Sequence, residues 1–164
     1  MTVALGAPGA QNASVLAERP LPDDLDRRIR ALADAWANDP AIAAVYLFGS
    51  RASGRPGPRS DVDLAVTLAA WLDAAARWQK RLDLTADAAC RLGTDAVDVV
   101  VLEDAPTVLG HRVLGRGRLL CEPQPRRRAA VAEGILRRYL DEGPLRHALD
   151  VGLAQRIREG RFAG

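Results

Sequence analysis

Fifteen residues, Gly49-Ser50-Arg51-Ala52-Ser53-Gly54-Arg55-Pro56-Gly57-Pro58-Arg59-Ser60-Asp61-Val62-Asp63, hold the groups best placed for chemistry. Gly-Ser at the end of an apolar run leaves backbone N–H groups free at a turn, and glycine lets that backbone approach a phosphate closely. Asp61 and Asp63, two apart in a run of alternating pattern, project to one side if that run is a strand. A third acid, Asp98, lies in Ala96-Val97-Asp98-Val99-Val100-Val101-Leu102, about 35 residues on. Converging carboxylates repel unless a cation sits between them. Magnesium takes a few carboxylate oxygens and fills its octahedron with water and phosphate. Two such ions suit an attack on a phosphorus with pyrophosphate leaving.

The elements that must carry these residues follow from periodicity. Pro20 to Asp23 opens a helix whose apolar face is Leu25, Ile29, Leu32 and Trp36, and Asn38-Asp39-Pro40 stops it. Ile42 to Phe48 reads as a buried strand. Residues 49–60 hold three Gly and two Pro, which predicts a loop with a short helical turn after Ser50. Val62, Leu64 and Val66 alternate with Asp61, Asp63 and Ala65 as a second strand. Leu68 to Leu92 reads as one long helix, with Trp71, Trp78 and Leu82 as a core stripe and Gly93 as its C-cap. Val97 to Leu102 is a third strand with Asp98 buried among apolar neighbours. A short helix over Pro106–Leu114, an edge strand at Arg118–Cys121 and helices over 126–141 and 144–159 complete the order. The fold class expected is α/β (α+β), a small mixed sheet with flanking helices and a C-terminal helical tail. Residues 1–20, rich in Ala, Gly, Pro and Ser, read as a mobile leader, 21–122 as the core and 123–164 as the tail.

Composition sets limits. The chain has 164 residues, the size of one domain. Net charge is +2 and Lys80 is the single lysine, so charge alone does not point to nucleic acid. No apolar run reaches membrane-spanning length, and no signal peptide is evident. Cys90 and Cys121 are unclustered, as in a reduced cytoplasmic protein. His111 and His147 are solitary. The arginines of the last helices read as a solvated face or a partner surface.

Asp-x-Asp, Gly-Ser and an acid in a strand are each common features. Their joint order and spacing resemble the minimal nucleotidyltransferases of the DNA polymerase beta superfamily, with their Gly-Ser, ten-residue gap, Asp-x-Asp and later third acid. The chain looks most like the MntA antitoxin branch, partner of HEPN-domain HepT toxins. Ala105-Pro106, then Gly115-Arg116-Gly117-Arg118-Leu119-Leu120-Cys121-Glu122, Arg137-Arg138-Tyr139-Leu140-Asp141 and Arg158-Glu159-Gly160-Arg161-Phe162 resemble that branch's later segments.

The resemblance implies magnesium-dependent transfer of AMP from ATP to a tyrosine of the toxin, silencing an RNase. It implies that Asp61 and Asp63 bind two Mg²⁺ ions, and that Asp98 binds one of them and acts as, or orients, the base. Gly49 and Ser50 would hold the triphosphate, with Arg51 and Ser60 as further nucleotide contacts and Arg55 and Arg59 as added charge. The partners expected are ATP and a HEPN toxin, with neither membrane nor direct nucleic-acid binding. Two other functions compete. One is transfer to a small molecule such as an aminoglycoside, disfavoured because only about 40 residues follow the core. The other is an antitoxin that acts by binding alone.

Overall fold

The computed structural model describes residues 22–54, 60–158 and 160. The reading of residues 1–20 as a leader, and Arg55 and Arg59 in the loop, lie outside the described residues.

Four strands form one mixed sheet in the order β3-β2-β1-β4. β1 (Ile42–Phe48) lies antiparallel to both β2 (Val62–Leu68) and β4 (Arg118–Cys121), while β2 and β3 (Val97–Val101) run parallel. Parallel neighbours need a crossover, and α3 (Ala74–Leu92) provides it. β1 is buried at six consecutive positions and β2 from Leu64 onward is buried on both sides, because helices cover both faces of the sheet.

On one face, α1 (Leu25–Trp36) and α3 pack on Val62, Leu64, Val66, Val99 and Val101. The indole N–H of Trp36 donates to Asp87 at 2.8 Å and ties these two helices together. On the other face, Val113 of α4 (Thr107–Arg116) and Val131 and Ile135 of α5 (Pro125–Asp141) meet Ala44, Tyr46, Ala65 and Leu102. α6 (Gly143–Arg158) has no buried residue. Leu145, Leu149, Leu153 and Ile157 stand on its successive turns, each close to half exposed or more.

The structure corrects three expectations. The long helix starts at Ala74, not Leu68. Thr67 and Leu68 continue β2, the Ala69 amide donates to Ala41 O at 2.8 Å, and Asp73 caps α3 by accepting from the Ala76 amide. Trp71, Trp78 and Leu82 are not core: they are 70%, 58% and 46% exposed, and α3 buries Leu84, Ala88 and Leu92 instead. Trp71 falls before the helix, so it cannot share a helical stripe with the other two. Asp98 is exposed rather than buried, because β3 is an edge strand and alternate positions, Val99 and Val101, are the ones buried. Gly93 does end α3 in the left-handed region, φ 71°.

A charged clamp locks the sheet to α5. Glu103 Oε1 accepts from the Leu68 amide at 2.9 Å and from Arg127 Nη2 at 3.0 Å, and Arg127 Nε donates to Leu68 O at 2.9 Å. Burial pushes the Glu103 carboxyl above its usual range, and the Leu68 amide and Arg127 offset part of that cost. Glu103→Ala strands both donors in a largely buried site. We expect a loss of about 3 kcal/mol in urea unfolding; a loss under about 1 kcal/mol would show that the clamp is dispensable.

Candidate active site

The site is assembled where β1 ends and β2 and β3 begin. Phe48 pairs with Asp63, and Asp63 pairs with Asp98. Adjacent strands lie about 4.8 Å apart, so register alone puts the end of β1, Asp63 and Asp98 side by side. Parity settles the face. Val62 and Leu64 point to the α1/α3 core, so Asp61 and Asp63 share the opposite face, and Asp98, alternating with Val99, shares it too.

Gly49 opens a one-turn helix, α2 (Gly49–Ala52), with φ +72°. The Asp63 side chain lies directly over it: a Cβ on residue 49 would stand 2.0 Å from Asp63 Oδ2. Only glycine allows this approach, and a carboxylate is thereby pressed against the start of α2. Ser50 and Arg51 follow within the turn. Arg51 Nε donates to Ser60 O at 3.2 Å, so these two residues, both expected at the nucleotide, brace the two ends of the loop. Ser53 Oγ donates to Gly49 O and Ser50 O at 3.1 and 3.0 Å, closing the turn behind them.

Burial raises the Asp63 carboxyl above its ordinary value, and the negative charges of Asp61 and Asp98 raise it further. Mutual repulsion of this kind is the signature of a set of acids that gains from a divalent cation. Among the described residues no three acids are drawn in closely enough to hold an ion as the side chains stand. Asp98 leans instead towards Arg81, whose Nη2 is 3.5 Å from Asp98 Oδ1. The donor set, carboxylate oxygens on two adjacent strands beside a turn, suits Mg²⁺.

Arg81 was not singled out by sequence. It reaches round the edge of β3 from α3 and donates from Nε to Val99 O at 2.7 Å. Its place was set by the packing of a crossover helix on an edge strand, for which seventeen intervening residues carry no local signal. His111 and Tyr139, read as ordinary, stack with ring centroids 3.7 Å apart and Arg146 over the Tyr139 ring, a contact joining α4, α5 and α6.

The family model for polymerase beta nucleotidyltransferases matches residues 31–126. That stretch is more than half of the chain and contains Gly49, all three acids and the whole sheet. The chain belongs to the polymerase beta nucleotidyltransferase family.

Within this family it is similar to the protein adenylyltransferase MntA of Shewanella oneidensis, 41% identical over 83 residues. Those residues are 51% of this chain and 56% of that relative, so the match spans about half of each. Two solved structures share the fold more broadly. A chain of a toxin–antitoxin crystal structure with AMP-PNP is 32% identical with a TM-score of 0.60, covering 79% of this chain and 98% of that one. A chain from the tri-AMPylated Shewanella oneidensis HEPN toxin in complex with its MNT antitoxin is 29% identical with a TM-score of 0.56, covering 79% and 96%. The nucleotidyltransferase fold expected from sequence is therefore present. Among the described residues, no helix is long and apolar enough to cross a membrane.

Proposed function

We propose that this chain is an antitoxin that transfers AMP from ATP to a tyrosine hydroxyl of a HEPN-domain toxin. The observation that carries the reading is the placement of Asp63 against Gly49 on one side and level with Asp98 on the other. The similarity to MntA and to complexes of an AMPylated HEPN toxin supports the choice of acceptor.

In this reading Gly49, Ser50 and the first amides of α2 bind the triphosphate, with Arg51 and Ser60 bracing the loop and contacting the nucleotide. Asp61, Asp63 and Asp98 would hold two Mg²⁺ ions, which would supply charge neutralisation for the leaving pyrophosphate and the acceptor oxygen. The tyrosine oxygen forms a bond to the α-phosphorus. The bond from that phosphorus to the oxygen bridging to the β-phosphate breaks, and pyrophosphate departs. Asp98 orients the hydroxyl and takes its proton. Residues 21–122 form the catalytic core and 123–164 the tail. The exposed Leu145, Leu149, Leu153 and Ile157 of α6 favour a protein partner over a small acceptor. A cytoplasmic location fits the two free cysteines.

Incubation with ATP, magnesium and a cognate HEPN protein is expected to add AMP-sized mass increments on tyrosine. Active toxin that stays unmodified under these conditions would refute the proposal. Ser50→Ala is expected to raise KM for ATP about tenfold, the cost of one phosphate hydrogen bond, without shifting the melting temperature. Unchanged kinetics would remove Ser50 from the site.

A further inference from the structure

A cleft of about 300 Å³ opens at the free edge of β3, lined in part by Arg77, Trp78, Arg81, Val100, Asp104 and Pro106. It lies between the two helical layers, and Arg81 forms both its wall and the contact to Asp98. Trp78 is 58% exposed there, with the Arg81 guanidinium 5.7 Å from its ring centroid. The Trp78 ring is left largely open to water, and Arg81 links it to Asp98.

The order of groups across the sheet says what belongs in this cleft. Gly49 and Ser50 end β1, Asp63 lies on β2 and Asp98 on β3. Displacement at phosphorus runs in line, with the attacking and leaving oxygens on opposite sides. If pyrophosphate leaves over β1, the acceptor must approach from the β3 side, and the cleft lies along that strand from Val100 onward, two residues past Asp98.

Its charge agrees. Arg77 holds Asp104 through contacts of 2.6 to 3.1 Å, and Arg81 is shared with Asp98, so the walls are close to neutral. That suits an uncharged aromatic ring better than a phosphate chain. Arg77 also donates to Leu72 O at 3.1 Å, which keeps the wall fixed before anything binds. Val99 O already accepts from Arg81, so the edge offers a pocket for a side chain rather than a ladder for a new strand.

We infer that the Trp78–Arg81 cleft is the acceptor subsite, holding the tyrosine-bearing segment of the protein partner with an aromatic ring against Trp78. This rests on the function proposed above. Trp78→Ala is expected to raise both KM for the HEPN acceptor and the Kd for it measured without ATP about tenfold, as for an aromatic contact at an interface centre. KM for ATP should change less than about twofold, and Trp78→Phe should restore most of the loss. A rise in KM for ATP alone would assign the cleft to the nucleobase and overturn the inference, as would no change in either constant. Tight binding that depends on Trp78 without AMP transfer would sustain the cleft and remove the enzymatic reading. Transfer indifferent to Trp78 would do the reverse.

Discussion

The Asp61→Asn, Asp63→Asn double variant is expected to lose AMP transfer by at least about a thousandfold in kcat/KM, since neutralising charge at a phosphoryl centre contributes several kcal/mol to the barrier. The amides keep the shape of the carboxylates but bring no negative charge. The fold should survive, because neither side chain carries a packing contact of the core, and Asp61 is exposed. Stability should rise slightly. Asp63 has a carboxyl pKa raised in the fold by burial and by Asp61 and Asp98. A carboxyl raised on folding costs stability above its folded pKa, and the cost disappears as the pH falls through that value. The double variant should therefore melt above the metal-free parent at neutral pH, and the gap should close on acidification. Asp63 is half-buried, so the gap is small. Retained AMP transfer would remove the carboxylates from the reaction. Full neutralisation of a toxin by a variant that transfers nothing would establish an antitoxin acting by binding alone.

Gly49→Ala should be nearly as damaging for a different reason. The added Cβ would stand 2.0 Å from Asp63 Oδ2 and 2.9 Å from its Cγ, so the carboxylate must swing off its position. Displacing a reacting group by about 1 Å costs about a hundredfold in rate. The backbone at φ +72° adds strain of about 1 to 2 kcal/mol for any residue with a Cβ. Gly54→Ala separates the two effects. Gly54 also has positive φ, +69°, but nothing lies within 4 Å of its would-be Cβ. Melting curves should show comparable destabilisation in both variants, with AMP transfer lost only in Gly49→Ala. Equal activity in the two would show that the contact of Asp63 with Gly49 has no part in catalysis.

Much of the site was legible because its signals are local. Asp61 and Asp63 share a face by strand period, and Gly49 is needed where the chain turns at positive φ; both depend on a few neighbouring residues. Strand boundaries at Ile42, Phe48 and Val97 followed from short apolar runs between breakers. The beginning of α3 did not, because Leu68-Ala69-Ala70-Trp71-Leu72 is apolar enough to suit either a strand end or a helix, and the Asp73 cap decides it. The spacing of Trp71, Trp78 and Leu82 on one helical face points them inward, but spacing says nothing about whether a partner surface exists to cover them.

Sequence by itself determined which residues carry charge, where the chain turns and which family the spacing matches, since each is written in residues within a few positions of one another. Tertiary structure alone decided that Asp98 stands level with Asp63, that β3 is an edge, and that Arg81 and Trp78 meet there. Those depend on strand order and on the docking of α3, which arise from burying Val62, Leu64, Val66 and Val99 together and leave no trace in the spacing of any one segment.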